Sequence, residues 1–345
     1  MLDPRYAYVS AYLKADETNV FAPRHLSRML GISNIRDIQS IIRETDIGNY
    51  LEGISLNNFD DLDQSLWRYF VHCVKEIESF DFLPADIKTL SSVYIEKYDV
   101  ANIKAALQLI GSTSNRNPII PVGIIHDNEL LDELSCAENV ADVSELLTRS
   151  QLAHYIPIIE DFEPDGSAKS RLLLGARLDG EYFRVMLDMA SKIRDGDTLA
   201  QSIGIIIDLT NLQIVARAII EGIGTEVADY TIPGGYIITD KTIRDLLAVK
   251  IADMPRRLED GKYNNIAKEL SNSYEKTKRV TTVDDILETY KFKSLREVLS
   301  PTILSPLVMA WYLVLKETEI RNLRIIFRAI YDNVSIEEIK RYLVF

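Results

Sequence analysis

The chain has 345 residues, of which 47% are hydrophobic and 26% charged, with only 15 Gly and 11 Pro. That length exceeds one compact core, and so few turn-forming residues favour long helices over many short strands. With 39 basic against 52 acidic residues the net charge is −13. Nucleic-acid phosphates and anionic lipid headgroups are thereby excluded as attractive partners, and a basic protein partner or plain solubility is expected.

Cys73 and Cys136 form neither a CxxC pair nor a disulfide framework, which suits a reducing cytosol. Met1-Leu2-Asp3-Pro4 leads directly into polar sequence, so no signal peptide is expected. The longest near-apolar run, Ile303 to Leu315, carries Ser305-Pro306 and falls short of the roughly 20 residues a membrane span needs.

Along the chain, Leu90, Val93, Tyr94 and Tyr98 share one face at helical spacing, and Ile103, Leu107 and Ile110 continue the stripe. Asn115-Arg116-Asn117-Pro118, Glu163-Pro164-Asp165-Gly166 and Pro233-Gly234-Gly235 mark loops or boundaries. Gly204 to Asp208 is β-branched and strand-like, but its context predicts a buried helix. Thr282-x-x-Asp285 and Ser335-x-x-Glu338 have the form of capping boxes.

A short pattern occurs three times: Asp99-x-x-Asn102-Ile103-Lys104, Asp208-x-x-Asn211-Leu212-Gln213 and Glu319-x-x-Asn322-Leu323-Arg324, at steps of about 110 residues. Flanking sequence keeps the register, since Ile120-Pro121-Val122-Gly123 resembles Ile232-Pro233-Gly234-Gly235. The pattern predicts a triplicated helical unit over residues 1–118, 119–230 and 231–345, the first residues packing with the third unit. Acid and Asn three residues apart share a helix face, where the carboxylate could accept a hydrogen bond from the amide. Either a clamp between helices or the lining of a partner socket would use them.

Chemistry is sparse. No phosphate-binding GxxxxGK[ST] loop is present, Gly222-Ile223-Gly224 lacks the third glycine of a dinucleotide fingerprint, and no GxSxG elbow occurs. His25, His72, His126 and His154 are scattered without metal-ligand spacing. Asp284-Asp285-x-x-Glu288 has the form by which helical prenyl synthases hold magnesium, and Asp60-Asp61-x-Asp63 is a looser echo. Acids at a helix start explain the first cluster more simply. Arg321, Arg324, Arg328 and Arg341 give the C-terminal helices a positive face, either solvated or open to a carboxylate-bearing partner. No catalytic residue, cofactor or metal is predicted.

Tyr98-Asp99-Val100-Ala101-Asn102-Ile103-Lys104 resembles a signature of the A-type and V-type rotary ATPase family that holds the archaeal C subunit and the eukaryotic V-type d subunit. Lys316-Glu317-Thr318-Glu319-Ile320-Arg321-Asn322-Leu323-Arg324-Ile325-Ile326 resembles its C-terminal signature. The opening, Tyr6-Ala7-Tyr8-Val9-Ser10-Ala11 with Asp46 to Leu51, is similar to the start of that family, so the likeness runs from Tyr6 to Leu343. The Asn- and Gly-rich N-terminal block of the eukaryotic members is missing, and Gln213 stands where the other two copies are basic. An A-type member fits better.

The resemblance implies an all-α protein of three similar helical domains, arranged as a funnel with approximate threefold pseudo-symmetry. It implies a non-catalytic central-stalk coupling subunit on the cytoplasmic face of the membrane. Its partners would be the central-stalk subunits and the membrane proteolipid ring, with no nucleic acid and no direct nucleotide binding. An unrelated helical scaffold protein or a magnesium-dependent prenyl or terpene synthase are the competing readings.

Overall fold

The computed structural model describes residues 4–30, 32, 35–51, 59–110, 119–162, 166–259 and 261–345. Of the loops expected at 115–118 and 163–166, all but Gly166, left-handed at φ 70°, lie outside the described residues. Among those described there is no strand. In chain order the helices are α1 (Pro4–Asp16), α2 (Pro23–Met29), α3 (Ile35–Ile42), α4 (Phe59–Glu78), α5 (Ala85–Leu109), α6 (Ile124–Asp127), α7 (Leu131–Ser135) and α8 (Val140–Arg149). There follow α9 (Ile156–Glu160), α10 (Ala168–Ala190), α11 (Gly196–Glu221), α12 (Asp240–Leu247), α13 (Met254–Arg257), α14 (Asn264–Thr277), α15 (Thr281–Leu299), α16 (Leu307–Tyr331) and α17 (Ile336–Ile339).

Local chemistry sets many of these limits. Asn139 caps α8 by accepting from the Asp142 amide, and Ser167 and Thr239 do the same for α10 and α12. Ser335 caps α17, accepting from the Glu338 amide at 3.3 Å, and its hydroxyl, in place of the backbone N–H of a capping box, donates to the Glu338 carboxylate at 3.0 Å. Thr282 does not cap. Helix α15 starts at Thr281, and the Arg279 and Val280 carbonyls already take the first amides, those of Thr282 and Val283. Gly222, left-handed at φ 69°, ends α11 and returns its N–H to the Ala218 carbonyl.

Residues Gly204 to Asp208 are helical, inside α11. That helix is apolar all round, as a core helix must be. It is the one helix among the described residues long and apolar enough to cross a membrane, with mean hydropathy 1.7, but 72% of that stretch is buried within the protein.

The chain divides into two compact units, residues 1–91 with 295–345, and residues 92–294; the divisions fall within α5 and α15. In the first unit α16 packs against α4 and α1, burying Leu66, Phe70 and Ile77 of α4, Val9 and Leu13 of α1, and Ile320 and Leu323 of α16. In the second, α10 lies along α11, α12 packs on α11, and α13 packs on α14. One succession of elements occurs three times along the chain: short helices, a long helix, then a longer one carrying the acid-x-x-Asn pattern. The long pairs are α4 and α5, α10 and α11, and α15 and α16.

Candidate functional site

The six patterned residues Asp99, Asn102, Asp208, Asn211, Glu319 and Asn322 are all buried, at no more than 1% exposure. A buried amide or carboxylate needs its hydrogen bonds satisfied, and these satisfy them on backbone. Asn102 Nδ2 donates to the Ile120 carbonyl at 2.9 Å, while its Oδ1 accepts from the Ile120 amide at 2.8 Å. Asn211 closes the same two-bond ring on Ile232, both bonds at 2.8 Å. Asn322 closes it on Val344, at 2.6 and 3.0 Å. The sequence suggested a bond between acid and amide on the helix; instead both side chains reach off the helix to a passing segment.

The first two acids hold the same segments a few residues further along, and the third holds a different one. Asp99 accepts from the Ile124 and Ile125 amides at 2.9 and 3.0 Å. Asp208 accepts from the Ile237 and Ile238 amides at 2.8 and 3.1 Å, and from the Tyr263 hydroxyl at 2.8 Å. Glu319 accepts from the Phe21 amide at 2.7 Å. Each helix is thus stapled by an amide and a carboxylate one turn apart, α5 and α11 each to one loop and α16 to two separate segments. The loops require glycine at the closest approach. A Cβ on Gly123, which also sits at φ 108°, would meet the Asp99 carboxylate at 2.4 Å, and one on Gly235 would meet Asp208 Oδ1 at 2.3 Å.

The residue two places after each Asn makes a third repeated contact. Lys104 donates to Asp179 of α10 at 2.5 Å, and Gln213 donates to Asp284 of α15 at 2.6 Å. Arg324 pairs with Asp63 of α4, Nη2 to Oδ2 at 3.3 Å, and lies over the Trp67 ring. Two members of the acidic clusters singled out in the sequence, Asp63 and Asp284, are therefore helix-to-helix acceptors. Arg217 adds a guanidinium to Asp284 at 2.5 Å, and Glu288 pairs with Lys291 at 2.8 Å.

Charge is concentrated at the third staple. The Lys316 ammonium, 1% exposed, donates to the Tyr69 hydroxyl at 2.6 Å and stands 2.9 Å from Asp16 and 3.9 Å from Glu319. Burial alone would lower its pKa, but Glu319, Cys73 and Asp16 outweigh that and hold it above the usual lysine value. Burial pushes Glu319 up to about 7 despite Lys316 and the Phe21 amide. Burial likewise carries Asp99 to about 7 and raises Asp208.

Of the basic residues, Arg321 donates to the Tyr342 carbonyl at 2.9 Å, and Arg328 pairs with Asp332 at 2.8 Å beneath the Phe59 and Tyr331 rings. Arg341 lies over Tyr342. Arg328 and Arg341 are exposed, Arg321 and Arg324 half-buried. The histidines remain apart. His25 is buried and accepts from the Ala22 amide through Nδ1 at 2.9 Å, while His154 and Glu96 lie 3.0 Å apart. Phe21, Lys316, Tyr69 and Tyr263 escaped the sequence reading. Only Lys316, inside the C-terminal signature, stood near a recognisable pattern.

Three buried staples and no converging nucleophile, base or phosphate cradle among the described residues make a body organised to hold its helices in place. The chain belongs to the ATP synthase (C/AC39) subunit family, whose model matches residues 9–342. These are non-catalytic stalk subunits of rotary ATPases, part of a membrane-associated complex. The chain is similar to the C subunit of the A-type ATP synthase of Methanocaldococcus jannaschii, 24% identical over 98% of this chain and 86% of that one. It is also similar to the C subunits of Pyrococcus abyssi, 23% identical over 97% and 89%, and Archaeoglobus fulgidus, 24% identical over 98% and 96%.

Proposed function

We propose that the chain is the central-stalk coupling subunit of an A-type ATP synthase. It links the soluble rotor stalk to the membrane proteolipid ring, on the cytoplasmic face, and passes torque between ion translocation and ATP synthesis or hydrolysis. The observation that carries this reading is the family match across residues 9–342, with A-type C subunits aligned over nearly the whole chain. Division into three similar units at 1–118, 119–230 and 231–345 belongs to the same proposal, and the thrice-repeated staple supports it.

A torque-bearing body has to resist deformation, and buried two-point staples between helix and loop serve that end better than exposed ion pairs, which contribute little. The six stapling residues are internal in this reading. Contact with partners falls to exposed groups, and Arg328 and Arg341 are the basic candidates for acidic patches on the stalk subunits. An affinity pull-down of the tagged chain from gently solubilised native membranes tests the proposal. Recovery of central-stalk subunits together with the proteolipid ring supports it; recovery of neither, from membranes containing an intact rotary ATPase, overturns it.

A further inference from the structure

The three staples differ in how their loops are closed. In the first, Asn102 and Asp99 reach residues 18 and 25–26 positions further on, along one continuous segment. In the second, Asn211 and Asp208 reach 21 and 29–30 positions on, again along one segment. In the third, Asn322 reaches Val344, 22 positions on, but Glu319 takes its amide from Phe21, 298 positions away in sequence. Two separate segments therefore replace one loop. They touch each other through the Phe21 and Phe345 rings, whose centroids are 5.9 Å apart.

We propose that residues 20–22 and 343–345 form the two jaws of a clasp on α16, which opens and closes as one element. A continuous loop that leaves one anchor is held near it by the other, so its return is entropically cheap; jaws from distant segments have no such tether between them. The clasp is nevertheless well seated when shut. Val20, Phe21 and Val344 are all at most 5% exposed, and His25 stacks on Phe21 at 5.6 Å while accepting from the Ala22 amide. The flanking chain is anchored independently. Asp16, at the end of α1, is bonded to Tyr312 at 2.7 Å and Lys316 at 2.9 Å, and α2 begins at Pro23. On the other side Arg321 holds the Tyr342 carbonyl at 2.9 Å, so opening is confined to a few residues on each side. Its consequence is specific, because the open clasp lets water reach Glu319 and, one turn away, Lys316.

Native-state hydrogen exchange on the full chain, read by mass spectrometry, tests this. Peptides spanning 17–22 and 340–345 should exchange in step, about tenfold faster than those spanning 119–125 and 232–238. Phe345→Ala removes the ring contact alone from a partly exposed position, so the fold should persist. It should speed exchange at both jaws and leave the two continuous loops unchanged. Exchange that quickens only at 340–345, jaws as protected as the continuous loops, or a uniform rise across all three staples would overturn the proposal.

Discussion

Gly235 lies so close to the Asp208 carboxylate that a Cβ on it would stand 2.3 Å from Oδ1. The closeness lets the following amides, Ile237 and Ile238, reach that carboxylate. Gly235→Ala should push the loop off α11 and destabilise the protein by about 1–3 kcal/mol, the usual cost of overpacking. Denaturant unfolding should show it as a lowered midpoint. A midpoint equal to that of the unsubstituted protein would mean that the loop yields without cost.

Asn322→Ala leaves the Val344 N–H and C=O without their side-chain partner. A buried polar group without a partner costs about 1–3 kcal/mol. Asn102→Ala and Asn211→Ala should cost as much at Ile120 and Ile232, because the bonding is the same. Unfolding curves for the three variants should show similar losses. One neutral variant would remove that copy from the set of staples.

Lys316→Met removes the cation between Asp16 and Glu319 and takes away the donor to the Tyr69 hydroxyl oxygen. Breaking a buried charge pair on one side costs roughly 3–5 kcal/mol. Neutralising Glu319 as well, in the double variant Lys316→Met with Glu319→Gln, should recover part of that loss. A double-variant cycle with no coupling would contradict this network.

Asp99 yields a pH dependence with a definite sign. Its folded pKa, about 7, lies above the ordinary 3.8 because burial disfavours the charged form. A carboxylic acid raised in this way adds stability fully present below its unfolded pKa and lost as pH rises through the folded value. The shift spans about three pH units, so the loss is at most about 4 kcal/mol. Stability should fall between about pH 4 and pH 7, and Asp99→Asn should flatten the curve over that window. An unchanged slope in the variant would assign the effect elsewhere, with Glu319, also near 7, the first alternative.

The helical class and the three patterned pairs were legible because each requires particular side chains at fixed spacing. What the pairs hold was not legible, since Ile120, Ile232, Val344 and Phe21 contribute backbone groups that any residue but proline supplies in whole or part. The acceptors Asp63, Asp179 and Asp284 were hidden for another reason. Lys104 and Gln213 reach 75 and 71 positions forward, but Arg324 reaches 261 positions back, so the third acceptor falls outside the linear register of the other two. Asp284 also sits in the first turn of α15, where an acid already has a local explanation.

The coupling role itself is tested most directly by proton or sodium pumping in inverted vesicles from cells lacking this chain. ATP hydrolysis by the soluble head should proceed there without ion uptake, and uptake should return when the purified chain is added back. Undiminished ATP-driven uptake in its absence would contradict a role in passing torque to the membrane ring.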